Sequence, residues 1–110
     1  MLIKRTELSP REVELSIHSD LVSDAAPEFR NALYAELDQP HHILRLNLEH
    51  VRIMSSSALG AMLLFEKKAA EMGKKLLITK CNSELRSMLM AIRLDRIVEM
   101  EDPPPPTHQH

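Results

Sequence analysis

Leu44, Leu46 and Leu48 alternate with Arg45, Asn47 and Glu49, the period of two that a half-buried strand requires. A few residues on, Leu59, Met62, Leu63, Ala69 and Ala70 recur at helical spacing. Between them lie a short turn, Val51 to Met54, and three consecutive serines, Ser55, Ser56 and Ser57, so the serines fall where strand becomes helix, with the helix predicted from about Ala58. A helix start leaves backbone N–H groups unpaired and carries partial positive charge, which suits a serine cap or an anion.

The same patterning predicts the other elements. Leu2 to Thr6 and Val13, Leu15 and Ile17 read as two antiparallel strands around the Ser9-Pro10 turn. A helix is predicted from Asp24 to Leu37, with Pro27 in its first turn and Ala26, Phe29, Leu33 and Leu37 as the buried stripe; Pro40 ends it. Gly73 stops the central helix, with Lys74 beside it at the negative end of the dipole. Leu76 to Thr79 is the next strand, parallel to the central one and reached by a right-handed crossover. Asn82 caps a third helix, whose Leu85, Met88, Leu89 and Ile92 form a core stripe, and Ile97 with Val98 supplies a last short strand or packed return.

With 110 residues and 44% hydrophobic content the chain makes one domain. It is an α/β domain over residues 1–100, followed at 101–110 by a proline-rich tail that cannot bury a core. Aromatics are 3%, Trp is absent, the net charge is -2 and no basic face is evident, so nucleic acid is not an expected partner. The longest apolar run, Ala58 to Phe65, is far below the roughly 20 residues that span a bilayer. Lys4, Arg5 and Glu7 interrupt the place of a signal peptide's apolar region, and the cytoplasm is the expected location. A single cysteine, Cys81, excludes an internal disulfide and reads as a small buried residue.

Chemistry-bearing motifs are few. Two glycines, Gly60 and Gly73, cannot make a phosphate-cradling loop or a dinucleotide fingerprint. His41 and His42 would point to opposite faces with no acidic or cysteine companion at ligand spacing, so both are expected in solvent; His18 and His50 are isolated in the same way, and His108 and His110 in the tail are weak metal candidates at most. No metal, cofactor or catalytic set is assigned, and an enzyme is not indicated.

The run Leu46-Asn47-Leu48-Glu49-His50-Val51-Arg52-Ile53-Met54-Ser55-Ser56-Ser57-Ala58-Leu59-Gly60 resembles the signature of STAS domains, in particular the bacterial anti-sigma factor antagonists. Those proteins carry Asp-Ser-Ser/Thr-Gly-Leu-Gly, or a close relative, at the end of a strand. The similarity extends over about residues 10 to 100, through the Gly73 turn, the Asn82-Ser83 helix start and the Leu94-Asp95 segment. It implies a single STAS-like domain, a mixed β-sheet with parallel strand-helix-strand units and three to four helices.

It also implies a partner switch. Members bind an anti-sigma factor, often a serine kinase of the histidine-kinase-like ATPase group; phosphorylation of the motif serine stops the binding and a PP2C-type phosphatase restores it. Position by position the acceptor falls on Ser56, with Ser57 and Ser55 as alternatives, and the implied partner surface is Val22, Ser55, Ser56, Ser57, Ala58 and Gly60. Ser55 and Val22 stand where the family commonly has Asp, and Ala58 replaces a glycine, which favours the helix by roughly 1 kcal/mol. A non-phosphorylated STAS module is the alternative: a scaffold or accessory subunit of a stressosome-like complex or a lipid-transport ATPase. A small-ligand or nucleotide site would require a pocket at the serine turn.

Overall fold

Alternating apolar residues build a five-stranded sheet, in the spatial order β1-β2-β3-β4-β5, in the computed structural model, which describes residues 3–101. The strands are β1 (Ile3–Glu7), β2 (Glu12–Ile17), β3 (Ile43–Asn47), β4 (Lys75–Thr79) and β5 (Glu99–Met100). β1 is antiparallel to β2, with Arg5 opposite Leu15; every later pair is parallel, with Leu15 opposite Leu46 and Leu46 opposite Ile78. The hairpin turn is set by Ser9, whose Oγ accepts from the amides of Arg11 and Glu12 at 3.1 Å each.

Three helices connect the strands: α1 (Ala26–Ala35), α2 (Ser56–Glu71) and α3 (Ser83–Ala91), with 3-10 turns at Ser23–Ala25, Glu36–Asp38 and Leu94–Arg96. Pro27 falls in the first turn of α1, where a missing N–H costs no helical bond. α2 ends in a Schellman turn: Gly73, at φ +73°, donates to the Ala70 carbonyl and Lys74 to that of Ala69.

The apolar positions of the strands, Val13, Leu15, Ile17, Leu44, Leu46, Leu76 and Ile78, join Phe29 and Leu33 of α1, Ala58, Ala61, Met62, Phe65 and Ala69 of α2, and Leu85 and Leu89 of α3 in one core. Burying each large side chain contributes about 1.5–3 kcal/mol. The other sheet face is polar and cross-linked: Arg45 Nε pairs with Glu12 at 2.8 Å and its Nη1 with Glu101 at 3.3 Å, Asn47 donates to Glu14, and Lys75 pairs with Glu99 at 2.9 Å.

Several expectations need correction. α2 starts at Ser56, two residues before the predicted position, because Ser55 takes the cap. Its buried stripe is 58, 61, 62, 65 and 69; Ala70, one step of about 100° further round, is exposed. Ile92 lies beyond the end of α3, where the chain turns through Arg93 at φ +63°, so helical periodicity no longer aims it inward and it is 53% exposed. The last strand is Glu99–Met100; Val98 is buried and Ile97 points out.

The histidines also depart from expectation. His41 is buried, both ring nitrogens lack a hydrogen bond, and Glu7 Oε2 lies 3.4 Å from Nε2; Lys74 Nζ donates to the neighbouring carbonyls of Gln39 and His41. His18 and His50 are not isolated: their rings stack with centroids 4.6 Å apart, and Ser16 Oγ lies 2.9 Å from His18 Nε2. The tail from Asp102 to His110, with His108 and His110, lies outside the described residues, as does Leu2 of the first strand segment. Among the described residues no helix is long and apolar enough to cross a membrane.

Candidate functional site

The path from β3 to α2 is fixed residue by residue. Asn47 Oδ1 accepts from the Glu49 amide at 3.0 Å and opens the turn, Leu48 donates to Thr79 of β4, and Val51 donates back to Leu48. Leu48 and Val51 are wholly buried, so the turn is pinned from below.

Residues 52–55 then run beside 20–22 like a short extra pair of strands. Asp20 Oδ1 accepts from the amides of Arg52 at 2.8 Å and Ile53 at 3.3 Å; Leu21 donates to Ile53 at 2.8 Å, and Ser55 donates to Leu21 at 2.7 Å. Leu21 and Met54, which form a parallel bridge, are buried beneath this seam, while Val22 and Ile53 stand out of it, 46% and 56% exposed. The loop before α1 and the start of α2 are thereby held as one surface.

Ser55, in extended geometry, caps α2: its Oγ accepts from the Ala58 amide at 3.2 Å. Ser56 and Ser57 follow in the first helical turn with exposed side chains and no bond to the rest of the fold. That turn contains no acidic residue, so the partial positive charge of the helix start is not offset locally.

Of the predicted surface residues, Val22, Ser56, Ser57 and Gly60 are exposed and Ser55 is half-buried. Ala58 is a correction. It has no exposed surface, because i+3 and i+4 from it lie Ala61 and Met62 on the inward stripe, and its methyl belongs to the core. Sequence reasoning missed Ile53, exposed just before the serine run, and Leu64, exposed two turns further along α2, and it missed a groove of about 360 Å³ between α1 and α2. Ser23, Ala26, Pro27, Arg30, Tyr34, Ser57, Gly60, Ala61 and Leu64 line it. An apolar residue inside a turn was the available signal for Ile53; the groove required knowing that α1 and α2 lie side by side.

Cys81, just ahead of α3, is partly enclosed, and burial pushes its thiol up to about 11 despite the opposing pull of Arg86. Among the described residues no group of three or more His, Cys, Asp or Glu side chains is placed to hold a metal ion.

The family model described as "Mlab, STAS domain" matches residues 5–99. Among solved structures the chain is similar to the Thermotoga maritima protein TM1081, at 22% identity and a TM-score of 0.83 over 93% of this chain and 87% of that one. It is also similar to an anti-sigma factor antagonist from Mycobacterium paratuberculosis, at 15% identity and a TM-score of 0.78 over 94% and 88% of the two chains. The Bacillus cell fate determinant SpoIIAA in its phosphorylated form aligns at 14% identity and a TM-score of 0.70, over 92% of each chain. No protein of curated function matches the chain in sequence. At these identities the structural likenesses establish the fold, a single mixed-sheet α/β domain as the serine-run signature implied.

Proposed function

This chain belongs to the STAS domain family, and from that membership we propose that it is an anti-sigma factor antagonist, a cytoplasmic protein that acts by binding rather than by catalysis. Its partner is an anti-sigma factor with serine kinase activity, of the histidine-kinase-like ATPase group. The kinase phosphorylates Ser56 and a PP2C-type phosphatase reverses it.

One observation carries this reading: Ser56 is exposed on the first turn of α2, its side chain makes no bond to the rest of the fold, and it follows the seam from which the apolar Val22 and Ile53 stand out. Such a fringe suits a protein contact. A phosphate would bring a charge of about -1.5 to -2, compatible with the helix start yet placed inside an apolar contact, where it repels the partner through lost solvation. Fold and switch are thus separable. Ser57 is the rival acceptor, because it lines the groove that also holds Arg30, a cation able to hold a phosphate.

A second reading has its own support. Asp20 is committed to the Arg52 and Ile53 amides, and Ser55 and Val22 supply no charge, so the acceptor lacks the acidic neighbours usual in switching relatives. This favours a non-phosphorylated scaffold or accessory subunit, in a stressosome-like complex or a lipid-transport ATPase, using the same surface. Fragment mass spectrometry on protein purified from its own host, and after incubation with candidate kinases and ATP, separates the two. One phosphate on Ser56 supports the switch. An unmodified serine run, under conditions that phosphorylate a control antagonist, contradicts it and favours the scaffold.

A further inference from the structure

The groove between α1 and α2 carries a signature of its own. Its lining is mostly small or apolar, Ala26, Pro27, Ala61 and Leu64, and holds a single charge, the guanidinium of Arg30. Among the described residues Arg30 makes no ion pair or hydrogen bond. Arg5, by contrast, grips Glu36 at 2.7 and 3.1 Å and Arg45 grips Glu12 and Glu101; what marks Arg30 among the arginines without a side-chain partner, Arg11, Arg52, Arg93 and Arg96, is its place on the groove wall. Tyr34, also on the wall, has a hydroxyl shut off from water with no hydrogen-bond partner, an arrangement that costs free energy.

Gly60, on the α2 side of the groove, is exposed. A glycine inside a helix is destabilising relative to alanine. Nothing in the fold requires it, since a Cβ there would meet no atom within 4 Å and the backbone is ordinary helix. What its missing side chain does is leave the groove open along α2.

We propose that the α1–α2 groove is a docking slot for an apolar segment of the partner protein that carries one carboxylate side chain, with Arg30 pairing that carboxylate and Gly60 letting the segment approach α2. Charge complementarity chooses the occupant: one uncompensated cation and no anion line a trough whose other side chains are apolar or carry a hydroxyl. Arg presents a planar fork to carboxylates, and an amphipathic segment in a groove is a common way for proteins to recognise one another. The inference rests on the partner-binding reading and specifies which chemistry the partner brings to it.

Two 14-residue helical peptides test it on the full chain: both carry Leu at i, i+3, i+4 and i+7, and they differ only by Glu or Gln at one flanking position. In a ¹⁵N NMR titration the Glu peptide is expected to shift the amides of Arg30, Gly60 and Leu64 and to bind at least fivefold more tightly than the Gln peptide. Arg30→Gln should abolish that difference, and Arg30→Glu should reverse it in favour of a Lys peptide. Equal affinities for Glu and Gln peptides, or shifts confined to the polar face of the sheet, would overturn the proposal. With the host's serine-kinase anti-sigma factor as probe, Gly60→Leu and Arg30→Glu should each weaken binding at least tenfold. If that kinase binds, is repelled by Ser56→Asp and ignores both groove variants, the slot is refuted and the function stands. If the Glu peptide binds with Arg30-dependent preference while no kinase binds, the slot stands and the function falls.

Discussion

The starts of α2 and α3 lie after successive parallel strands and are capped alike. Ser55 Oγ accepts from the amide three residues on at 3.2 Å, and Asn82 Oδ1 does the same at 3.0 Å. From there they diverge. The α3 start is built into the molecule: Asn82 Nδ2 also donates to the Val51 carbonyl at 2.5 Å, Glu84 offsets the dipole in the first turn, and Cys81 before it is partly enclosed. The α2 start is left open, with two further exposed serines, no acid in the first turn, and the apolar Val22 and Ile53 beside it. A cap is accounted for by folding; hydroxyls beyond the cap, on an uncompensated helix end with an apolar fringe, serve no contact within the fold and are what the proposed partner surface would use.

The largest contrast should appear in thiol chemistry. Enclosure raises the Cys81 thiol to about 11, so near neutral pH its thiolate fraction is about a hundredfold below that of an unperturbed thiol. Cys81 should react with iodoacetamide about a hundred times more slowly than a cysteine placed at the open end by Ser56→Cys; similar rates would mean that the two ends are equally open. Because the folded thiol holds its proton more tightly than the unfolded one, its contribution to stability is fully present below about pH 8.5 and is lost as pH rises toward 11.

Next in size, Asn82→Ala removes a cap and a tie to Val51 and should cost about 2 kcal/mol in urea unfolding. Ser55→Ala removes a cap alone and should cost about 1 kcal/mol. Ser56→Ala, measured beside it, should stay within about 0.5 kcal/mol of the parent. A loss at Ser56 as large as that at Ser55 would show that the open serines serve the fold after all. Smallest is Gly60→Ala, which should stabilise the chain by a little under 1 kcal/mol, since the added methyl meets nothing within 4 Å. Destabilisation there would show an internal reason for the glycine.

Local patterns made much of this legible from sequence. Alternation at Leu44, Leu46 and Leu48 marked β3, and Asn82 and Gly73 marked a helix start and a stop, because each of those signals acts within a few residues. The serine run marked the start of α2 for the same reason. What stayed hidden depends on pieces distant in sequence. The seam joining Leu21 to Ile53 and Ser55 is a pairing of about thirty residues' separation, and it alone brings Val22 beside the serines. Ala58 looks like a surface substitution until α2 is rotated onto the sheet. His41, polar and next to a proline, reads as loop until the fold closes over it. Arg30, one cation among fourteen lysines and arginines, becomes conspicuous only when it is seen as the one charged residue on the wall of the α1–α2 groove.

The most direct test of the account is the affinity of three proteins, the parent, Ser56→Ala and Ser56→Asp, for the host's serine-kinase anti-sigma factor, measured by isothermal titration calorimetry at one salt concentration. The account predicts that the parent and Ser56→Ala bind alike and that Ser56→Asp binds at least tenfold more weakly, about 1.4 kcal/mol, with all three equally folded. Equal affinities for all three would contradict it.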